Sequence, residues 1–192
     1  NYDYAKGGLP AVTGLRALSA GKKKVNVTWN KVTGADGYII YRKVGNGKFE
    51  YRYMVKGTSF TDTTASSKEY NFYRIYPYYN RNGKRILGPS IKYDYAKGIL
   101  KATTKLTAYS AGKNKVKVSW NAVPEAEGYI IYRKVGNGKF VYRYMVKETS
   151  FTDTTASSSS YNYYRIYPYH TEKGKRVLGL SDDYKYAKGS NR

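Results

Sequence analysis

Alternation of apolar and polar side chains is the main pattern along the chain. In the segment 25–29, VNVTW, the apolar side chains fall on one face of an extended strand and the polar ones on the other. Further runs of this kind, rich in tyrosine and β-branched residues, are separated by glycine, asparagine and serine. The strands predicted for the first half of the chain lie around 9–17, 25–29, 38–42, 49–55 and Phe60, and over 70–79 and 84–95. Seven short strands separated by turns are typical of an antiparallel β-sandwich.

Two glycine-containing turns should close hairpins between these strands. The sequence Gly-Asn-Gly at 45–47 links the third and fourth predicted strands, and we expect positive φ at Asn46 and Gly47, because both residue types tolerate it. The sequence Asn-Arg-Asn-Gly at 80–83 links the last two strands. Both turns therefore predict antiparallel neighbours.

The strand pattern occurs twice, at a period of 91 residues. A shift of 91 positions aligns Trp29 with Trp120, and residues 8–98 match residues 99–189 at about two positions in three. A unit of this length normally buries enough surface to fold without disulfides or metals. We therefore predict an all-β chain of two tandem seven-stranded antiparallel β-sandwiches, with module 1 at 8–98 and module 2 at 99–189.

A six-residue sequence, Tyr-x-Tyr-Ala-Lys-Gly, ends each copy and also precedes the first one. It occurs at 2–7, 93–98 and 184–189. Because this sequence occurs three times and the module only twice, we predict that residues 1–7 are the tail of a preceding module. Residues 190–192 form a short tail after the second module. We therefore expect the chain to come from a longer array of modules.

The motifs of each copy are those of a known family. Each copy resembles a fibronectin type III domain, an immunoglobulin-like sandwich, of the kind strung along secreted bacterial proteins. The residues that carry the resemblance in module 1 are Val25-x-Val27-x-Trp29, Gly37-Tyr38-x-Ile40-Tyr41-Arg42, Ser59-Phe60-Thr61-Asp62, Tyr73-Arg74-Ile75 and Gly88, and module 2 repeats each of them. One position departs from the family pattern, because Asn71 stands where the resemblance implies a corner tyrosine, four residues before Ile75.

Composition adds two features, an excess of tyrosine and a strongly basic charge. The chain has 25 tyrosines and a formal net charge of +22. Residues 8–98 contain 17 basic and 5 acidic residues, and residues 99–189 contain 16 and 7, so the charge belongs to both modules. A field of this size attracts anionic partners, with an affinity that falls as salt rises.

Few residues in the sequence could support catalysis or metal binding. There is no cysteine, and the only histidine, His170, is expected in a solvated hairpin. Carboxylates are scattered, and Asp62 and Asp153 are interpreted as turn-formers. We predict no catalytic residue, no metal site and no cofactor, and therefore not an enzyme. No stretch is apolar enough over the length of a transmembrane helix.

Strand parity divides the tyrosines between core and surface. Those predicted to point inward are Tyr38, Tyr51, Tyr53 and Tyr73, and those predicted to point outward are Tyr41, Tyr76, Tyr78 and Tyr95. Exposed aromatic rings beside cations can stack on sugar rings while the cations hold anionic groups. The candidate glycan- or anion-binding surface consists of Tyr41, Tyr76, Tyr78, Lys84 and Arg85, with Tyr167, Tyr169, Lys175 and Arg176 in module 2.

Repetition with short connections favours a structural function. We expect spacer modules in a secreted or wall-attached bacterial protein, whose partners are the neighbouring modules of the same chain. The alternative is an adhesive or carbohydrate-binding module whose basic, tyrosine-rich surface binds an anionic polysaccharide or cell-wall polymer. Nucleic acid is disfavoured as a partner, because the lysines lie all round the module and no nucleic-acid-binding motif focuses them.

Overall fold

The computed structural model describes residues 8–190 and contains no helix within that range. The chain divides into two compact units, the first ending at Gly98 and the second beginning at Ile99. The predicted tail at 1–7 and the last two residues of the tail at 190–192 lie outside the described range. No helix of the described part is long and apolar enough to span a membrane.

Unit 1 is an antiparallel sandwich of two sheets. Its strands are β1 (Arg16–Gly21), β2 (Lys24–Thr28), β3 (Gly37–Val44), β4 (Glu50–Val55), β5 (Ser59–Asp62), β6 (Asn71–Arg81), β7 (Lys84–Leu87) and β8 (Asp94–Ala96). One sheet has the order β1-β2-β5 and the other the order β4-β3-β6-β7, with β8 also paired to β6. The predicted all-β sandwich is confirmed.

Unit 2 repeats this arrangement strand for strand. Its strands are β9 (Thr107–Gly112), β10 (Lys115–Ser119), β11 (Gly128–Val135), β12 (Val141–Val146), β13 (Ser150–Asp153), β14 (Asn162–Glu172), β15 (Lys175–Leu178) and β16 (Lys185–Ala187). The sheets have the orders β9-β10-β13 and β12-β11-β14-β15, with β16 also paired to β14. Each unit therefore has the same topology.

Each unit has a core of its own, which side chains from both sheets fill. In unit 1, Val25 and Val27 of β2 and Ile75 of β6 have no exposed surface. Trp29, at the end of the alternating run, is also buried, and its ring lies 5.3 Å from that of Tyr38 in an edge-to-face contact. Trp120 occupies the equivalent place in unit 2.

The first strand begins later than the sequence pattern suggested. A strand was expected from 9 to 17, but β1 begins at Arg16, and the preceding residues form an irregular segment whose Leu9 and Val12 are buried in the core. Gly14 in this segment has a φ of 63°, which a continuing strand excludes. The apolar residues before Gly14 therefore fill the core without joining a sheet.

The last predicted strand, 84–95, is interrupted. It appears as β7 and β8, which both pair with β6 on either side of an irregular stretch. At Gly88 an added Cβ would lie 2.9 Å from both the Cβ of Leu9 and the Cγ of Pro77, so the chain packs too closely there for a larger residue. Pro89 follows and has no N–H to donate to the ladder. The seventh strand of the sandwich is thus built in two parts.

The hairpin turn at 45–47 differs from the one expected. At 45–47, Gly45 alone has a positive φ, of 53°, and the N–H of Gly47 donates to the carbonyl of Val44. A positive φ at the first central residue only is the pattern of a type II′ turn, so the expectation at Asn46 and Gly47 was wrong. Positive φ at both central residues occurs instead at Asn82 and Gly83, between β6 and β7.

Asparagine replaces the expected tyrosine at the corner before β6. Asn71 is fully buried, and its Oδ1 accepts a hydrogen bond of 2.8 Å from the N–H of Ser66. Its Nδ2 donates to the carbonyls of Ser66 and Ala96, at 2.9 and 3.1 Å. One amide therefore holds both the loop before β6 and strand β8, and Asn162 makes the same bonds in unit 2.

Candidate functional site

The outer face of the sheet β4-β3-β6-β7 presents a row of tyrosine rings in unit 1. The ring centroid of Tyr41 on β3 lies 6.3 Å from that of Tyr51 on β4 and 5.3 Å from that of Tyr76 on β6. We call these three residues the tyrosine row. Edge-to-face contacts at these distances are the favoured geometry for aromatic pairs. The row therefore runs across three neighbouring strands.

Tyr51 belongs to this row because of a β-bulge in β4. Ile40 pairs with Tyr53, whereas the next residue, Tyr41, pairs with Tyr51, so Arg52 is the extra residue. A bulge reverses the side-chain parity of the strand beyond it. Tyr53 packs against the core as predicted, but Tyr51 is 56% exposed, and its predicted inward placement was wrong.

Cations lie against the rings next to the row. The guanidinium of Arg74 is 4.5 Å from the ring centroid of Phe49, and Lys43 Nζ is 4.7 Å from that of Phe72. Lys43 pairs with Phe72 across β3 and β6, and its Nζ is also 5.6 Å from the ring centroid of Phe49. Such cation–π contacts fix the positions of long basic side chains on an exposed surface.

The repeated tail contributes its tyrosines to the same sheet. Tyr93 and Tyr95 lie 5.5 and 5.2 Å from Phe72, and Tyr95 lies 5.1 Å from Tyr70. Lys97, from the same tail, has its Nζ 4.9 Å from the ring of Tyr70. We call the whole group the tail cluster; its members are Lys43, Tyr70, Phe72, Tyr93, Tyr95 and Lys97.

Unit 2 has the same two features at equivalent positions. Its tyrosine row is Tyr142, Tyr132 and Tyr167, and its tail cluster is Lys134, Tyr161, Tyr163, Tyr184, Tyr186 and Lys188. Lys134 Nζ lies 4.3 Å from the ring of Tyr163, and Lys188 Nζ lies 4.8 Å from that of Tyr161. The geometry is thus a property of the repeat.

The structure separates the predicted site residues into two groups. Tyr41 and Tyr76 lie half-buried in the tyrosine row, as Tyr132 and Tyr167 do in unit 2. Tyr78 was predicted to point outward, and Tyr169 was assigned to the same candidate surface, but both are buried.

Tyr78 is buried because its ring covers a glycine. It pairs with Gly37 across β3 and β6, and an added Cβ on Gly37 would lie 2.7 Å from the tyrosine hydroxyl. The ring therefore lies flat over the backbone. The guanidinium of Arg85 packs 4.8 Å from the ring centroid and covers its other side.

The basic residues predicted for the site lie on the neighbouring strand, in both units. Lys84 and Lys175 are exposed at the start of β7 and β15. Arg85 and Arg176 are exposed as well, and Arg176 lies 5.5 Å from the buried ring of Tyr169. These arginines therefore pack on buried tyrosines.

Asp62 lies at a buried polar centre that the sequence pattern did not reveal. Its carboxylate is fully buried and accepts hydrogen bonds from Arg42 at 2.6 Å and from the Tyr73 hydroxyl at 2.9 Å. It also accepts a hydrogen bond of 2.8 Å from the N–H of Thr64, so the predicted turn is present too. Arg133, Asp153, Tyr164 and Thr155 repeat the arrangement in unit 2.

The pKa values at this centre shift in opposite directions. Burial by itself would raise the pKa of Asp62, but hydrogen bonds from the Thr64 N–H, Arg42, Tyr73 and the Thr64 hydroxyl outweigh it and lower the pKa below 3.8. Burial and the adjacent Asp62 charge raise the pKa of Tyr73. The carboxylate therefore stays ionised, and it is closed to solvent.

His170 differs from its expected position. It was predicted in a solvated hairpin, but β14 extends to Glu172 and His170 is fully buried on the strand. It follows the parity of Ile166 and Pro168, which are buried as well. The equivalent residue in unit 1, Tyr79, packs against the core there. Among the described residues no group of three or more histidine or acidic side chains could hold a metal ion.

A shallow open groove adjoins the tyrosine row of unit 2. It is lined by Arg165, Tyr167, Ser181, Asp182 and Asp183. A shift of 91 positions places Ile91 and Lys92 where unit 2 has the two aspartates. The two units therefore share their aromatic residues and differ in charge beside them.

No family model matches the chain, and comparison with solved structures finds fibronectin type III and Fn3-like domains. A two-domain fibronectin type III segment of chicken tenascin has 12% identity over 92% of this chain and 98% of its own, with a TM-score of 0.41. The FN1–FN3 domains of chicken contactin have 12% identity over 96% and 68%, with a TM-score of 0.41. An Fn3-like protein from Clostridium thermocellum has 22% identity over 47% and 93%, with a TM-score of 0.38. The two chicken structures consist of fibronectin type III domains, and the third is an Fn3-like protein.

Proposed function

We propose that the two fibronectin type III-like units are non-catalytic structural modules that act as a spacer within a longer protein. The observation that carries the proposal is the length of the connection. The N–H of Gly98 donates to Ser66 and its carbonyl accepts from Lys23, all within unit 1. The carbonyl of Leu100 accepts from Leu180 within unit 2. Only Ile99 stands between these fixed residues, which leaves few free backbone torsions.

The construction of each unit supports the same function. Leu100, directly after the connection, is fully buried in the core of unit 2. Gly98 leaves no room for a larger residue, since an added Cβ would lie 2.8 Å from both the Ala65 carbonyl oxygen and the Lys23 Cα. The connection is therefore part of the two packed units, as expected for modules that transmit position along a chain.

The buried charged centre supports a structural role over a catalytic one. Asp62 and Tyr73 are fully buried, and their polar atoms bond to one another and to Arg42. A catalytic acid or base has to come within hydrogen-bond reach of a substrate. This centre joins the two sheets of the sandwich, since Asp62 lies on β5 and Tyr73 on β6.

The proposed setting is the cell surface, in a secreted or wall-attached bacterial protein. The net charge of +22 supports it, because a basic array is attracted to anionic polymers around a cell. Protease treatment of intact producing cells tests this location. Loss of the protein without cell lysis is expected, and complete protection of the protein in intact cells would contradict it.

The spacer function is tested by measuring distances between spin labels on the two units. The chain has no cysteine, so the substitutions Lys48→Cys and Lys139→Cys provide one labelling site in each unit. They lie on the exposed β3–β4 and β11–β12 hairpins. We expect a narrow distance distribution, which broadens when about six Gly/Ser residues are inserted after Ile99. The pair Lys48→Cys and Lys84→Cys within unit 1 is the control and should not change. An equally broad distribution without the insertion would overturn the spacer proposal.

A further inference from the structure

The tail cluster has exposed aromatic surface that strand pairing leaves uncovered. In unit 1, Tyr70, Tyr93 and Tyr95 are 47%, 50% and 48% exposed, although each contacts another ring. Cross-strand pairs of aromatic residues stabilise a sheet through the surface that they bury. About half of the surface of each of these residues remains open to solvent at a single place on the sheet. That surface can accept the flat, apolar face of another ring.

The charges at the tail cluster are predominantly positive. Lys43 and Lys97 are held against its rings, 4.7 Å from Phe72 and 4.9 Å from Tyr70. The one carboxylate of the tail, Asp94, accepts hydrogen bonds from the N–H groups of Ala17 and Tyr95, at 2.8 and 2.9 Å. Its charge is thus directed at backbone, and the ammonium groups of both lysines remain able to attract an anion.

The combination of open rings and fixed cations selects one class of ligand. A polyanion without sugar rings would interact with the lysines but gain nothing from the tyrosines, and a neutral polysaccharide would gain nothing from the lysines. A linear acidic polysaccharide satisfies both, because its pyranose rings stack on aromatic faces and its carboxylates pair with ammonium groups. We propose that the tail cluster of unit 1 binds an acidic polysaccharide, with Tyr93 and Tyr95 stacking on the sugar rings and Lys43 and Lys97 holding the acidic groups.

The charges beside the tail cluster are distributed differently in the two units, since Glu69 and Asp94 of unit 1 correspond to Ser160 and Lys185 of unit 2. In unit 2, Asp182 and Asp183 precede Tyr184 of the tail cluster and line a groove with Arg165. In unit 1, Ile91 and Lys92 precede Tyr93. Carboxylates beside the cluster repel an acidic ligand, and they compensate the charge of Arg165. The proposed binding activity goes beyond the spacer function and does not depend on it.

The proposal is tested by titrating the whole chain with a hyaluronan oligosaccharide at physiological salt. The Debye length there is about 8 Å, so diffuse attraction is largely screened. We expect saturable binding that the double variant Tyr93→Ala/Tyr95→Ala weakens about tenfold, the effect of losing two ring contacts. Tyr109→Ala is the matched control, because Tyr109 is 49% exposed on β9 and belongs neither to a tyrosine row nor to a tail cluster. It should leave binding unchanged, and circular dichroism should show all variants folded.

Two further ligands and one exchange complete the test. Dextran, which is neutral, should not bind, and any binding of inorganic polyphosphate should be insensitive to Tyr93→Ala/Tyr95→Ala. Exchanging the unit-specific residues by Ile91→Asp and Lys92→Asp should weaken hyaluronan binding. Equal binding of hyaluronan and polyphosphate with no effect of the tyrosine variants would show that charge alone is responsible and would overturn the proposal. Absence of saturable hyaluronan binding would overturn it as well.

Discussion

Asp62 links the two sheets of unit 1 through a buried polar contact. It lies on β5 of the first sheet, and its partners Arg42 and Tyr73 lie on β3 and β6 of the second. A buried carboxylate without partners would be strongly destabilising, so the three side chains act as one group. The sandwich is therefore held by a specific charged contact in addition to its apolar core.

Replacing Asp62 with asparagine should destabilise unit 1 strongly. The substitution leaves the Arg42 guanidinium, whose side chain is only 11% exposed, without its counter-charge. Removing one partner of a buried ion pair costs about 3–5 kcal/mol of unfolding free energy. Urea unfolding followed by Trp29 fluorescence measures it. Glu50→Gln, at an exposed position, should change stability by no more than about 0.5 kcal/mol. Equal effects of the two substitutions would show that the buried contact contributes little.

Low pH should remove the stabilisation that the ionised Asp62 and Asp153 carboxylates provide in the native chain. The pKa of Asp62 and of Asp153 lies below 3.8 in the folded units, so their ionised form stabilises folding. The contribution is complete above pH 3.8 and is lost as the pH falls below that value towards the folded pKa. Urea midpoints measured between about pH 6 and pH 2 should fall less in Asp62→Asn/Asp153→Asn than in the native chain. If the urea midpoints of the native chain and of the variant fall equally with pH, other groups cause the acid sensitivity.

At the scale of strands, the sequence pattern predicted the core-facing alternation and missed the local irregularities. Alternation located β2 and β6, because the burial of their side chains alternates along most of their length. The bulge that exposes Tyr51 and the break at Gly88 depend on register and close packing with residues distant in sequence. Alternation within one strand contains no information about either.

Gly88→Ala should test the close packing that interrupts the seventh strand. The added Cβ would lie 2.9 Å from Leu9 and Pro77, so the segments on either side must move apart. Overpacking of this kind costs typically about 1–3 kcal/mol. Gly57→Ala is the control, because its Cβ would meet nothing within 4 Å, and its effect should be small. Thermal unfolding of both variants provides the comparison. If Gly88→Ala melts at the native temperature, the segments around Leu9 and Pro77 are free to adjust.

The candidate site was only partly predictable for a related reason. Tyr41 and Tyr76 were identified because both lie on the outward parity of long strands. Tyr78 follows the same parity, yet Gly37 opposite it lets the ring lie against the backbone. The tail tyrosines were visible as a repeated motif, but their contacts with Phe72 depend on the pairing of β6 with β8. The repeated motif therefore identified the tail as a feature of every module. Its contacts follow only from the pairing of strands that are distant in sequence.

At the scale of the whole molecule, the two units should unfold as independent domains. Each has its own core, and one tryptophan reports on each, Trp29 in unit 1 and Trp120 in unit 2. Trp29→Ala removes a buried aromatic side chain and should cost unit 1 roughly 3–5 kcal/mol. The remaining fluorescence of Trp120 should then show an unchanged, cooperative transition for unit 2. Residues 99–192 alone are the control and should give the same transition. If Trp29→Ala also shifts the Trp120 signal, or if residues 99–192 fail to fold, the units stabilise each other and are not independent domains.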